Sequence, residues 1–345
     1  MAGDTPGMRT LTDFDPVAHA HSVLGRRYRL EDYYEVGREK VREYAGAVQD
    51  SHPVHRDDKA ATDFGYPGLA ASPTFSCLLG GVARRALSGI LTGYDLTATV
   101  HTDQVLRFHR PIVVGDRLTC NLSLRSFRRA FGGDLMVIEN LITDQHGEAV
   151  VTSHTSLIAR SEPTVAEAGA AELLRGIVRE FADSEVRLRE LEDWEPAYPA
   201  PRNVRSRPLS SVAVDDELPS RTVISTLGDL VHYAGVADDP NPIHWHAGAA
   251  AMFGLGRGVI AHGVLTMAYG AGFVTSWLGD PGALRQYSVR MTRPVVLTAE
   301  RPAEIEFTGR ITSVDPADGT ATVALTARHE GHKIFGRATA LVRLS

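Results

Sequence analysis

The fold of this chain is decided by the stretch YAGVADDPNPIHW, residues 233–245, because an earlier stretch carries the same pattern. The earlier stretch is YAGAVQDSHPVHR, residues 44–56, which precedes the later one by 189 residues. A repeat this long cannot be a solenoid unit, so each copy predicts a whole domain. The residues that recur at matching positions are Tyr44, Ala45, Gly46, Asp50, Pro53 and His55 in the first copy and Tyr233, Ala234, Gly235, Asp239, Pro242 and His244 in the second.

The later copy of this loop places an acid, an amide and a histidine on a stiff backbone. Pro240 and Pro242 fix their own φ angles and disfavour helix at the residues before them. One interpretation is a proline-rich turn whose Asp or Asn side chain caps the next helix. The return of Asp and His at the same spacing in the other copy favours a functional loop instead.

Each copy has the same order of elements. A helical segment precedes the loop, a short helix of small residues follows it, and a long apolar helix comes next, at 73–90 and 262–279. Alternating strands complete each copy, for example AEIEFTGRITSV at 303–314 and TATVALTAR at 320–328. This order predicts an α+β domain, written twice, in which a curled antiparallel sheet surrounds an apolar helix.

The composition is that of an ordinary globular protein. The 345 residues are 43% hydrophobic and 23% charged, and a net charge of −6 argues against nucleic acid as a partner. Cys77 and Cys120 have no metal-ligand spacing and favour a reducing, cytoplasmic setting. The N-terminus lacks a signal-peptide pattern. Residues 258–279 are uncharged and long enough to span a bilayer, but five glycines and several polar residues favour a buried core helix.

We predict four segments along the chain. They are a flexible tail at 1–20, a first domain at 21–162, a charged helical and Pro/Arg-rich linker at 163–207, and a second domain at 208–345. The two domains are expected to pack together as an internal pseudo-dimer, because each would otherwise expose a sheet edge.

The motif of the second copy resembles the signature of the MaoC-like, double hotdog family of (R)-specific hydratases and dehydratases. In this chain the signature is Tyr233, Asp239, Asn241, Pro242, Ile243 and His244, followed by His262 and Gly263. The first copy, with DQVLRFHRPIVVGD at 103–116, resembles the A-type subunit of mycobacterial-type (3R)-hydroxyacyl-acyl-carrier-protein dehydratases, and the second copy the B-type subunit. The resemblance implies a fusion of two subunits with a double hotdog fold. At Asp238 the chain departs from the family, which commonly has Gly there.

The resemblance also implies roles for residues of the second copy. Asp239 and His244 are the expected acid–base pair, and the backbone N–H of Gly263 is the expected donor to the charge that develops on the thioester oxygen. Asn241 is expected to brace the loop or to contact the thioester arm. His262 is expected to be a packing and capping residue.

The first copy keeps Asp50 and His55, which form a possible second or vestigial site. With the repeat taken as free of gaps, His262 and Gly263 correspond to Pro73 and Thr74. A threonine side chain would crowd a position where glycine permits close approach. We therefore expect the first copy to shape the acyl site and the second to perform the chemistry.

The implied function is dehydration of (3R)-hydroxyacyl thioesters to trans-2-enoyl thioesters in fatty-acid or mycolic-acid elongation. Two alternatives remain open: an (R)-specific enoyl-CoA hydratase, and a non-catalytic protein that binds acyl thioesters. The expected partners are an acyl thioester and its acyl carrier protein or coenzyme A, and the pseudo-dimer could assemble further into a homo-oligomer. No metal, cofactor, nucleic acid or membrane insertion is predicted. The sequence leaves the carrier, the chain length, the physiological direction and the activity of Asp50 and His55 undecided.

Overall fold

The computed structural model describes residues 14–94, 96, 99–130, 132–159, 176–178, 186–192, 194–252 and 258–345. Residues 1–13 of the predicted tail and most of the predicted helical arm lie outside this part of the chain. The end of that arm is described, and there the prediction of a helix is wrong, because Leu188–Leu191 is a strand paired with Arg27–Leu30. An open sheet edge supplies backbone partners that outweigh a modest helix propensity.

In both copies three described helices come before the main run of antiparallel strands. The described helices are α1 Pro16–Ser22, α2 Arg38–Ala47, α3 Asp58–Asp63, α4 Leu79–Ile90, α5 Leu227–Val236, α6 Ala247–Met252 and α7 Gly263–Leu278. The described strands are β1 Arg27–Leu30, β2 Tyr34–Glu35, β3 Val100–Phe108, β4 Arg117–Ala130, β5 Gly133–Thr143, β6 Ala149–Ala159, β7 Leu188–Leu191, β8 Glu217–Ser225, β9 Val259–Ile260, β10 Leu284–Met291, β11 Val296–Leu297, β12 Ala303–Asp315, β13 Thr320–His329, β14 His332–Lys333 and β15 Phe335–Arg343.

One antiparallel sheet runs through both copies. Among the described residues it has 13 strands in the order β7-β1-β4-β5-β6-β3-β10-β15-β13-β12-β8, with β2 beside β4 and β14 beside β13. The copies meet where β3 pairs with β10, and there Val105 lies opposite Ser288. Counted back from the Arg-Pro pairs at 110–111 and 293–294, these two residues are equivalent. A strand paired with its own counterpart at equivalent residues places a pseudo-two-fold axis between the copies.

Two equivalent tyrosines lie on the same axis. The rings of Tyr44 in α2 and Tyr233 in α5 are both buried, and their centroids are 6.4 Å apart. The helices that enter the two Pro-His loops therefore pack against each other. The expected internal pseudo-dimer is the arrangement that the described residues form.

The central helix is packed differently in the two copies. In the second copy α7 lies tightly on the sheet, and a Cβ added to Gly270 would overlap the Tyr287 hydroxyl and press on Phe307. In α4 the equivalent glycine is Gly80, because the copies are offset by 190 residues from Ala71 and Ala261 onward, and a Cβ there would meet no described atom within 4 Å. The helix of the first copy thus stands away from its sheet. Among the described residues, no helix combines the length and the apolar character that crossing a membrane would need.

The linker is anchored between the copies at the buried carboxylate of Asp280. The Tyr66 hydroxyl of the first copy, the guanidinium of Arg202 and the backbone N–H of Arg205 all donate to this carboxylate, at 2.5, 3.1 and 2.9 Å. Arg202 also stacks over the Tyr66 ring, 4.3 Å from its centroid. Both copies and the linker therefore meet at one charged group that water does not reach.

Candidate active site

The loop after α5 presents Asp239 through a tight turn. Asp238 has a φ of +51°, in the left-handed region, and the next N–H, that of Asp239, donates to the Ala234 carbonyl at 3.0 Å. The Asn241 side chain then accepts the Ile243 N–H at 3.3 Å and caps a short 3₁₀ turn. Asn241 thus braces the loop, which was one of the two roles expected of it.

His244 has a defined tautomer. Its Nδ1 lies 2.8 Å from the Ile260 carbonyl oxygen, and a carbonyl only accepts, so Nδ1 carries the proton. In the neutral ring, Nε2 then holds a lone pair. Burial lowers the pKa of His244, and the nearby Asp239 carboxylate offsets this only in part. His244 is therefore a neutral imidazole with a basic Nε2 near physiological pH.

His262 is a structural partner of the expected acid–base pair. Its ring stacks on that of His244 with centroids 3.7 Å apart and planes 25° apart. Its Nε2 lies 3.4 Å from the backbone oxygen of Asp239. His262 occupies the N-cap position of α7, as expected, but its side chain makes no cap bond there. Burial, and then the neighbouring His244, lower the pKa of His262 to about 3. His262 is therefore a neutral ring that contacts both the Asp239 backbone oxygen and the His244 ring.

Gly263 is the first residue of α7, the 16-residue helix at the centre of the second copy. The N–H groups of a helix's first turn have no acceptor inside the helix, and the helix dipole adds positive potential there. A Cβ at this position would overlap the sulphur of Met291. Only glycine therefore fits beside Met291 at this first position of the helix.

Among the described residues, Asp239, His244 and His262 form a group that could hold a metal ion, since their ligand atoms all lie within 4.8 Å of one another. The ring geometry fits a metal poorly. Stacked rings direct their in-plane lone pairs along nearly parallel planes rather than toward one ion.

The structure corrects the register of the repeat beyond the loop. The Ala71 N–H donates to Ile112 O at 2.8 Å, and the Ala261 N–H donates to Val295 O at 2.9 Å, where Ile112 and Val295 follow the two Arg-Pro pairs. Ala71 is therefore equivalent to Ala261, a shift of 190 residues, because the second copy has one more residue in the intervening loop. His262 and Gly263 correspond to Ser72 and Pro73, not to Pro73 and Thr74. Proline has no N–H, so the first copy lacks the donor altogether.

Asp50 and His55 of the first copy form a buried pair that is closed to the cavity. Asp50 Oδ2 lies 3.1 Å from His55 Nε2, and Nδ1 of the same ring donates to Ala70 O at 2.6 Å. Burial alone would raise the pKa of Asp50, but the His55 ring and the His52 N–H hold it at about 2. Both side chains are buried, at 3% and 0% exposure, and neither lines the cavity of the second copy.

A cavity of about 600 Å³ connects the two copies beside the pair of the second copy. Asp239, His244 and Gly263 line one part of it. Another part is lined by α4 of the first copy and by the inner face of strands β3, β5 and β6, in the space from which that helix stands away, and second-copy residues such as Met291, Arg293 and Phe335 complete the lining. The second copy thus supplies the expected acid–base pair, and the first copy supplies a chamber that extends the cavity.

The two halves of the chain match two different protein families. Residues 22–153 match the FAS1-like dehydratase domain region, and residues 211–329 match the MaoC-like domain. A solved MaoC-like dehydratase is 41% identical and superposes with a TM-score of 0.85, over 94% of this chain and 100% of that one. The chain belongs to the MaoC-like dehydratase family.

Other relatives bear on the fold and on one part of the chain. A UPF0336 protein of Mycobacterium leprae is 40% identical over 143 residues, which are 40% of this chain and 88% of that protein. A Mycobacterium tuberculosis protein described as a double hotdog is 14% identical, with a TM-score of 0.58 over 92% of this chain and 96% of that one. The α+β double hotdog fold predicted for this family member is confirmed.

Three further residues lie near the loop or the chamber. Trp245 is not in the cavity lining and donates from Nε1 to Pro240 O at 3.0 Å. His246 is exposed, and its Nδ1 accepts the Ala249 N–H at 3.0 Å. Cys77, on the other hand, lines the chamber.

Proposed function

We propose that this member of the family dehydrates (3R)-hydroxyacyl thioesters to trans-2-enoyl thioesters, with Asp239 and His244 as the acid–base pair. The observation that carries the proposal is a neutral His244 whose Nε2 holds a lone pair and lies close to Asp239. Both residues line the same cavity as Gly263, the first residue of α7. The same groups serve the reverse hydration.

The pair accounts for both proton transfers. Nε2 of His244 takes the C2 proton and becomes an imidazolium, and the Asp239 carboxylate passes that proton to the C3 hydroxyl, which leaves as water. The two groups thereby return to a neutral imidazole and a carboxylate. Their atoms lie within 4.8 Å of each other, which allows the transfer within the pair.

The Gly263 N–H is proposed to donate to the thioester oxygen as negative charge develops there. A fixed backbone donor at a helix N-terminus needs no reorganisation during the reaction. Losing one such donor typically costs about 10²–10³ in turnover. The absence of this N–H at Pro73 supports a single reactive site, in the second copy.

The carrier is proposed to be recognised through its phosphate. Arg293, which is exposed, and Arg84, which is half-buried, both line the cavity, and their guanidinium groups suit the phosphate shared by coenzyme A and the acyl-carrier-protein arm.

The two cysteines bear on the cellular setting. Cys77 and Cys120 are free thiols, which supports the cytoplasm as the setting.

The test is hydration of trans-2-enoyl thioesters, followed by loss of the conjugated thioester absorbance and by the configuration of the product. We expect a 3R product. The same acyl chain on coenzyme A and on acyl carrier protein then identifies the preferred carrier from the ratio of kcat/KM. Binding of both thioesters without turnover would favour the non-catalytic alternative.

A further inference from the structure

The chamber of the first copy has a polar floor. Four side chains from adjacent strands of its inner sheet face form a patch that we call the polar floor, made of Gln104, Asn140, Ser153 and Thr155. Thr155 Oγ1 donates to Gln104 Oε1 at 2.9 Å, and Gln104 Nε2 donates to Ser153 Oγ at 3.0 Å. Asn140 lies directly opposite Ser153 in the sheet.

The second copy shows what these positions hold when a helix covers them. In the first copy, Thr155 lies opposite Gln104, and Asn140 lies opposite Ser153. In the second copy, the equivalent cross-strand pairs are Ala340 with Tyr287 and Leu325 with Ala338. The four equivalents in the second copy are therefore Tyr287, Leu325, Ala338 and Ala340. All four are buried core residues under α7. Polar side chains have replaced a packed apolar surface only in the copy whose helix stands away.

The polar floor is not satisfied within the protein. Asn140 is 7% exposed, and its Oδ1 has no hydrogen-bond partner among the described residues. Ser76, on the opposite wall of the chamber and 4% exposed, likewise has no partner for its hydroxyl in this part of the chain. Buried polar groups cost free energy unless something pairs with them. A plain alkyl chain would cover both groups and leave them unpaired.

We propose that the acyl chain that this site accepts carries a second hydroxyl group, farther along the chain than the one at C3. This second hydroxyl lies on the polar floor and donates to Asn140 Oδ1. The inference rests on the proposed function, since it names the class of acyl thioester that the site takes. A site built to hydrogen-bond a substrate hydroxyl rejects the analogue that lacks it, because its own polar groups then stay unpaired.

The test compares trans-2-decenoyl-CoA with analogues that carry one hydroxyl at successive carbons from the sixth to the tenth. We expect kcat/KM of the wild-type protein to be at least about tenfold higher for one hydroxylated isomer than for the plain chain. Asn140→Leu installs the residue of the second copy and should remove or reverse this preference. Thr155→Val is the second variant, in case the first does not fold, and thermal melting checks both.

The matched control is Ser156→Ala. Ser156 lies next to Thr155 on β6, on the other face of the sheet, and does not line the chamber. Its substrate preference should equal that of the wild type. A wild-type preference for the plain chain, or a hydroxyl preference that survives in both floor variants, would overturn the inference.

Failure of the proposed function has a different signature. Calorimetric binding of decanoyl-CoA and of the matching hydroxydecanoyl-CoA reports on the chamber without any turnover. Preferential binding of the hydroxylated chain, with no hydration of any enoyl thioester, would overturn the proposed function and support the polar floor. Turnover of all substrates with no hydroxyl preference in binding or rate would support the proposed function and overturn the inference about the polar floor.

Discussion

The imidazole rings of His244 and His262 stack with their centroids 3.7 Å apart, and both are buried. Two cations at this distance would repel strongly, so at most one ring is protonated at a time. His262 is the ring held neutral, with a pKa lowered to about 3 by burial and by His244. We therefore propose that the proton chemistry involves His244 and Asp239 but not His262.

The neutral state of His262 predicts a pH dependence of stability. Its folded pKa, about 3, lies below its usual value of 6.5, so between these values the unfolded chain binds more protons. Stability is therefore full above pH 6.5 and falls as the pH decreases toward 3. His262→Phe should flatten this slope by on the order of 1 kcal/mol per pH unit. Urea unfolding of both proteins across this range measures it, and equal slopes would contradict the assignment.

The buried Asp50–His55 pair of the first copy predicts a loss of stability without a loss of chemistry. His55→Ala removes the imidazole partner of the buried Asp50 carboxylate, which keeps the His52 N–H, and this should cost about 3–5 kcal/mol of unfolding free energy. Turnover by the folded fraction should stay near that of the wild type. His244→Ala is the matched comparison, with turnover lost and stability changed less. If both variants lost turnover equally, the division of labour between the copies would be wrong.

The left-handed backbone conformation of Asp238 predicts that glycine at this position makes the protein more stable than alanine does. Its side chain lies 3.5 Å from Arg85 in an exposed ion pair, which Asp238→Gly and Asp238→Ala both remove. The glycine variant should nevertheless be more stable than the alanine variant by about 1 kcal/mol, because only glycine adopts this φ without strain. Chemical denaturation compares the two. Equal stability would show that the turn relaxes.

The buried carboxylate between the copies predicts that Asp280→Asn weakens their association. An amide there replaces one charged acceptor oxygen with a donor, which opposes the Tyr66, Arg202 and Arg205 donors. A loss of about 3–5 kcal/mol in unfolding free energy is expected. Asp318→Asn, at an exposed turn, is the control and should change little. A wild-type melting temperature for Asp280→Asn would show that this contact contributes little.

The sequence predicted the architecture well because its evidence was internal repetition and alternation. The Pro-His loops at 44–56 and 233–245 fixed the two copies, and the uncharged segment 258–279 was correctly interpreted as a core helix. The shift at Ser72 and Pro73 was missed, since a one-residue difference in loop length leaves no mark in a short match. Only backbone hydrogen bonds of the following strands reveal it.

The proximity of the proposed site residues was predictable from the sequence, but the residues that surround them were not. Asp239, His244 and Gly263 lie together as the motif implied. The stacking of His262 could have been suspected only from its place beside Gly263. The polar floor could not be predicted, because alternation in a strand does not tell whether a helix covers its inner face. Nor does a Pro/Arg-rich linker show that Arg202 will meet a buried carboxylate.

The most direct test of the account is the turnover of Asp239→Asn and His244→Ala on trans-2-enoyl thioesters. Asparagine keeps the shape of the loop but cannot exchange the proton, and alanine removes the base. Each variant should lose several orders of magnitude in kcat while keeping the wild-type fold by circular dichroism, and the double variant should be little worse than either, because the two groups act as a unit. Hydration near the wild-type rate by either single variant would contradict the assignment of the acid–base pair.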